Sequence, residues 1–190
     1  MNILVLGPQG SGKGTQAKRI SAEYGVPHVS TGDMFRAAIA EGTELGRRVG
    51  PILAAGDLVP DELTVELIRE RLMQDDARRG FVLDGFPRNL AQAASLDAML
   101  AEIGHGLDAV LFFDLDDAVA TDRMLGRARD EERPDDTPDV IARRLAIYHE
   151  QTEPVVGHYA DQGILTTLAA ERSVDEVFDE IDDTLGALST

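Results

Sequence analysis

The apolar positions of this chain fall into short continuous runs separated by longer amphipathic stretches. Ile3-Leu4-Val5-Leu6 comes first and ends at a glycine-rich turn. A run that short, without polar alternation, reads as a strand covered on both faces. Val26-Pro27-His28-Val29, Phe81-Val82-Leu83, Ala109 to Leu115 and Ile164 to Leu168 read the same way. Between the runs, apolar residues recur with helical spacing. Ala17, Ile20 and Tyr24 share one side of a helix from Lys13 to Glu23, stopped by Gly25. Ser30-Thr31-Gly32-Asp33 offers caps for a helix from Met34 to Ala40, and a second runs from Leu45 to Ala55. Further helices are predicted from Asp61 to about Asp76, with Asp61 and Thr64 as capping positions, and over Asn89–Ile103 and Asp117–Arg127. A long one spans Val140–Tyr159, kinked at Pro154. Ser173 and Glu176 form a capping box ahead of an amphipathic helix through Val177, Ile181 and Leu185.

Strands alternating with helices predict an α/β fold, a five-stranded parallel sheet between two helical layers. Residues 30–59 carry two helices and little strand pattern, so they read as an insertion between two strands and a candidate mobile subdomain. No repeat, low-complexity segment or long linker interrupts the pattern.

The chemistry begins where the first strand ends. Gly7-Pro8-Gln9-Gly10-Ser11-Gly12-Lys13-Gly14-Thr15 lies between a strand and a helix, which is the setting of a phosphate-binding loop. Glycines let successive backbone N–H groups face one concavity, and the following helix adds its unpaired N–H groups. Lys13 supplies a cation for the outer phosphates and Thr15 a hydroxyl for a Mg²⁺ shell. Gly14 intervenes where the general motif has its hydroxyl residue.

Composition narrows the partners. The 190 residues suit one domain, there is no cysteine for disulfides or a Cys-ligated zinc site, and the apolar N-terminal run is too short for a signal or membrane segment. A cytoplasmic protein is therefore the expectation. The net charge of −17 disfavours nucleic acid and anionic membrane as partners. It does not exclude a nucleotide, because charges are screened over about 8 Å at physiological salt. Basic residues are 16 arginines against Lys13 and Lys18 alone; adaptation to high salt and coding bias both account for that.

Other candidates sit at strand ends, where open α/β sheets bind ligands. Asp84-Gly85-Phe86-Pro87-Arg88 follows the third run and offers a carboxylate beside a guanidinium suited to bidentate phosphate contact. Asp114 reads either as a metal carboxylate or as a residue that merely ends a strand. Arg123 and Arg127 are i and i+4 on one helix face, and with Arg133 they make an electropositive flap. His28 reads as a strand or surface residue with no ligand set around it.

The motifs GPQGSGKGTQ from Gly7, STGDMFR from Ser30, AGDLVPDEL from Ala55, LDGFPRNLAQA from Leu83, and DRMLGRAR, RPDD and ARRL between Asp122 and Leu145 resemble those of adenylate kinases, in order and over nearly the whole chain. The resemblance implies a P-loop three-layer α/β/α core (residues 1–29, 60–121 and 137–190), a helical AMP-binding subdomain (30–59) and a short lid (122–136) without the zinc-binding form. It implies reversible transfer between MgATP and AMP to give two ADP, by a monomer. By position, ATP falls to Gly10, Ser11, Gly12, Lys13, Gly14, Thr15, Arg123, Arg127 and the main chain at Arg172. AMP falls to Thr31, Arg36, Asp57, Leu58, Val59, Gly85, Arg88 and Gln92. Arg133 and Arg144 span both nucleotides, and Asp84 holds Mg²⁺ through water, with Thr15 a second candidate. Lys13, Arg88, Arg123, Arg127, Arg133 and Arg144 form the implied catalytic set. Gln9, Asn89 and Ala169-Ala170 depart from the residues common in the family, at positions where proline, threonine and Asp-Gly are usual. Asn89 leaves a UMP/CMP kinase of the same fold as the alternative, and a non-catalytic nucleotide switch is the reading from another class. Residues 30–59 and 122–136 are expected to close over the nucleotides and to limit turnover as they open.

Overall fold

The computed structural model describes residues 1–130 and 137–188. Its sheet has five parallel strands, Asn2–Leu6 (β1), His28–Ser30 (β2), Phe81–Asp84 (β3), Ala109–Asp114 (β4) and Leu165–Ala169 (β5), in the order β2-β3-β1-β4-β5. The central strand β1 is buried throughout. Ile3 and Val5 point to one face and Leu4 and Leu6 to the other, as the two-residue pleat requires.

Each face is closed by its own helices. Helices Lys13–Tyr24 (α1), Asp117–Asp130 (α6), Pro138–Ile147 (α7) and Val174–Leu188 (α9) pack against Ile3 and Val5 through Ala17, Ile20, Met124, Ile141 and Ile181. Helices Asp61–Leu72 (α4), Leu90–Glu102 (α5) and Glu153–Ala160 (α8) cover Leu4 and Leu6 with Ile68, Leu96, Leu100 and Tyr159. Each fully buried aliphatic side chain contributes about 1.5–3 kcal/mol relative to exposure. Helices Thr31–Ala40 (α2) and Glu44–Ala54 (α3) have a separate small cluster around Phe35, Val49 and Val59. No helix among the described residues is long and apolar enough to cross a membrane.

Three local expectations need correction. Helix α4 ends at Leu72, and Asp75–Arg79 forms a 3₁₀ turn rather than a continuation. Asp61 does not cap α4: Pro60 holds that position, and the Asp61 carboxylate points to α5. The long helix runs without a gap from Pro138 to Ala160, but its irregularity is a π-helical turn over Tyr148–Thr152 rather than a kink at Pro154. Pro154 lies in the first turn of α8, directly after the π turn. The wider turn buries both Tyr148 and Thr152, and the Thr152 hydroxyl donates to the Arg88 carbonyl at 2.8 Å. The irregularity therefore serves the loop after β3.

Candidate active site

A cavity of about 1160 Å³ opens above the carboxyl ends of β1, β2 and β3, between α1, the α2–α3 pair and α6. Its floor is the glycine loop. Gly12 is the N-cap of α1 in the left-handed region (φ 84°), and no side chain caps the first turn. The helix therefore keeps unpaired N–H groups and the positive end of its dipole for an anion. Lys13 Nζ donates to the Pro8 carbonyl at 3.0 Å, which folds the side chain back along the loop.

Beside the loop, at the end of the neighbouring strand, the turn after β3 is held from both sides. The Gly85 carbonyl accepts from Thr31 Oγ1 at 2.9 Å and from Arg88 Nε at 2.8 Å. Gly85 sits at φ 82°, and a Cβ there would stand 2.6 Å from Thr31 Oγ1, so only glycine fits. Arg36 pairs with Asp33 at 2.5 Å, and both line the cavity. From α7, Arg143 Nε donates to Asp57 at 2.5 Å and Arg144 Nη2 to the Leu53 carbonyl at 3.3 Å. These bonds tie the end of α3 and the loop after it to the core.

The local charge is opposite to that of the whole chain. Lys13, Lys18, Arg36, Arg88, Arg123, Arg127 and Arg144 line the cavity against three carboxylates, Asp33, Asp57 and Asp84. Burial pulls the Lys13 ammonium down to about 8, against Asp84, with Arg88 and Arg127 adding to the fall. Burial lowers the Arg88 guanidinium too, resisted by Asp84 and helped by Arg144 and Arg36. Burial pushes the Asp84 carboxyl up, yet the His28 imidazole, Lys13 and Arg88 outweigh it and hold the group below the usual carboxylate range. Seven cations against three carboxylates give the cavity an excess of positive charge that suits an anionic ligand.

Asp84 lies 3.3 Å from where a Cβ on Gly14 would stand, so the loop backbone runs close to the carboxylate. One carboxylate close to the glycine loop, with Thr15 also lining the cavity, suits Mg²⁺, which keeps several waters and takes few protein ligands.

The sequence model of the adenylate kinase family matches residues 5–164. The chain is 50% identical over 179 residues to an adenylate kinase of Kocuria rhizophila, covering 94% of this chain and 95% of that one. It is 48% identical over 177 residues to one of Thermobifida fusca (93% and 94%) and 46% over 177 to one of Stenotrophomonas maltophilia (93% and 95%). The chain belongs to the adenylate kinase family.

Most residues singled out from the family's motifs lie on this one cavity. Gly10, Gly12, Lys13, Gly14, Thr15, Thr31, Arg36, Asp57, Leu58, Val59, Asp84, Gly85, Arg88, Gln92, Arg123, Arg127 and Arg144 all line it. Ser11 does not. Its side chain is buried beneath the loop, and the hydroxyl has no hydrogen-bond partner. Arg172 lies outside the cavity as well, because its guanidinium turns back to Ala169 and pairs with Glu180. Arg133 and residues 131–136 of the expected lid lie outside the described residues. Asp114 ends β4, is exposed and is not on the cavity, so the strand-end reading holds. Arg123 donates to the Ala170 and Glu171 carbonyls at 2.8 and 3.3 Å, which links α6 to the loop before α9.

The motif reading missed His28. It lines the cavity, and its Nε2 lies 3.5 Å from Asp84 without a hydrogen-bond partner. The missing signal was strand adjacency: β2 pairs with β3, with Ser30 level with Asp84. Lys18, one turn beyond Thr15, and Asp33, within the STGDMFR motif but read only as a helix cap, also line the cavity.

Proposed function

We propose that this cavity carries the reversible reaction MgATP + AMP ⇌ 2 ADP, with ATP phosphates on the glycine loop and AMP between α2, α3 and the turn after β3. The observation that supports the reading is a second set of cations, Arg36 and Arg88, lining the same cavity from outside the glycine loop. A nucleotide switch needs only the loop and its metal. An acceptor phosphate needs cations of its own.

The attacking atom is a phosphate oxygen of AMP, largely ionised near neutral pH because a phosphate monoester has its second pKa at about 6. No general base is required. Catalysis consists of holding two phosphates in line and stabilising charge as the phosphoryl group moves. Arg88 is fixed by its bond to the Gly85 carbonyl, and Thr152 holds its own carbonyl, so the guanidinium approaches the acceptor along one direction. Lys13 reaches the transferred group from the loop, and Arg123, Arg127 and Arg144 complete the field, with Arg133 assigned to it by its motif. Removing one such cation costs on the order of 10³-fold in rate. Mg²⁺ fits Asp84 through water, with Thr15 beside it; when bound it neutralises charge on the ATP phosphates.

Thr31 and Gln92 are assigned to the adenosine of AMP, the Asp57–Val59 main chain to one wall of its site, and the main chain at Arg172 to the ATP base. Closure by residues 30–59 and 122–136 excludes water, the competing acceptor. A monomer in the cytoplasm is the proposed working form, maintaining the balance of adenine nucleotides. An acceptor panel tests the reading: ADP formation from ATP with AMP, UMP, CMP or GMP. AMP is expected to be preferred, and Arg36→Ala to raise the KM for AMP far more than that for ATP. Equal effects on both nucleotides would overturn the assignment of Arg36.

A further inference from the structure

Gln92 is almost fully buried at the cavity wall, and two groups fix its side-chain amide. The Arg88 backbone N–H donates to Gln92 Oε1 at 2.8 Å, and Gln92 Nε2 donates to Asp61 Oδ1 at 2.7 Å. Neither partner can change role: a backbone N–H only donates, and a carboxylate only accepts. A flipped amide would set N–H against N–H at one end and oxygen against carboxylate at the other. Asp61 is fixed in turn by Asn89. The Asn89 Oδ1 caps α5 by accepting from the Gln92 backbone N–H at 2.8 Å, so its Nδ2 is left to donate to Asp61 Oδ1 at 3.0 Å. The chain of direction runs from the helix cap through Asn89 and Asp61 to Gln92.

We propose that Asp61, held by Asn89, is a specificity-determining positioning residue that locks the Gln92 amide in the one orientation that reads adenine and rejects a 6-oxopurine. This rests on the assignment of Gln92 to the base of AMP. In the locked state the amide has one lone pair left on Oε1 and one N–H left on Nε2. That pair complements the 6-amino donor of adenine and a neighbouring ring-nitrogen acceptor. A 6-oxopurine presents an acceptor where adenine has its donor, so two oxygens would face each other. A free amide would rotate by half a turn and bind the oxo base equally well. Here rotation is opposed at both ends. Discrimination comes from the unpaired groups the wrong base leaves, not from the size of the pocket. Asn89 thus acts on Asp61 and the α5 cap rather than on the base, and it is not among the cavity-lining residues.

The test compares kcat/KM for AMP and for inosine monophosphate, which differ at the 6-position and at the proton on N1. The ratio within one variant does not depend on how much of the preparation is folded. Asp61→Ala is expected to lower the AMP/IMP ratio about five- to hundredfold, the range a bidentate base contact supplies. Asp61→Asn is expected to keep it, because Asn89 Nδ2 still demands an oxygen at the same place. Gln92→Leu is expected to flatten the ratio whatever stands at 61. An unchanged ratio in Asp61→Ala beside a flattened one in Gln92→Leu would overturn the lock alone. An unchanged ratio in Gln92→Leu would overturn the assignment of Gln92 itself.

Discussion

Substituting Gly85 by alanine tests the proposed acceptor side of the site at a tight point. Two costs are readable from the structure. A non-glycine residue at φ 82° pays about 1–2 kcal/mol for the left-handed conformation. The new Cβ would stand 2.6 Å from Thr31 Oγ1, and moving that hydroxyl away gives up its 2.9 Å bond to the Gly85 carbonyl, about another 1 kcal/mol. Together they predict about 2–3 kcal/mol of lost stability, which urea unfolding reads directly. Both Thr31 and Arg88 hang on the same carbonyl, so the KM for AMP is expected to rise about tenfold or more while that for ATP moves little. The double variant Gly85→Ala/Thr31→Ala removes the clashing atom and leaves only the backbone cost. It should therefore lose less than the sum of the two single variants. Strict additivity, or a Gly85→Ala protein within 0.5 kcal/mol, on the order of error for such measurements, and with an unaltered AMP KM, would refute the reasoning.

Lys13→Met should abolish transfer yet unfold at higher urea than the wild type at pH 7, by about 1–3 kcal/mol, because the folded chain holds its ammonium at about 8 against an unfolded value of 10.5. The sign follows from that depression: the penalty is complete below pH 8 and fades as pH rises towards 10.5, so the gap should close in urea titrations across that window. The free enzyme's kcat/KM for ATP should fall above pH about 8 as Lys13 loses its proton, which a pH–rate profile reads. His149, exposed on the π turn between Asp117 and Glu153, has its pKa raised by hydrogen bonds to Glu153 and Asp117. Its stabilisation is complete below the unfolded value and is lost as pH rises through the raised folded value, so His149→Gln should lose more stability at pH 5.5 than at pH 9. Asp84→Asn should raise the Mg²⁺ concentration needed for half-maximal rate, with the far-UV CD spectrum unchanged.

The elements of the sheet were legible because burial on both faces leaves continuous apolar runs, as in Ile3 to Leu6. The loop was legible because phosphate chemistry constrains consecutive residues, Gly7 to Thr15. What escaped depends on which strands become neighbours. His28 meets Asp84 only because β2 pairs with β3. Asp61 looked like a helix cap, and its true partners, Asn89 and Gln92, lie about thirty residues away. The π turn at Tyr148–Thr152 had no marker in the sequence except Pro154, a few residues downstream of its start. Proline removes one donor from a helix, but it does not mark where the helix widens. At Ser11 and Arg172 the side chains turn elsewhere, the Ser11 hydroxyl buried and the Arg172 guanidinium paired with Glu180, so any part these positions take in binding falls to their main chain.

The central claim is that one cavity passes the γ-phosphoryl group of ATP to AMP. Incubating the protein with ATP labelled in its γ-phosphate and unlabelled AMP, then separating and degrading the ADP formed, tests that transfer most directly. Label is expected in the β-phosphate of ADP, AMP-dependent, with two ADP formed per ATP consumed and the yield lost in Lys13→Met. Label released as inorganic phosphate at a rate indifferent to AMP would contradict the claim.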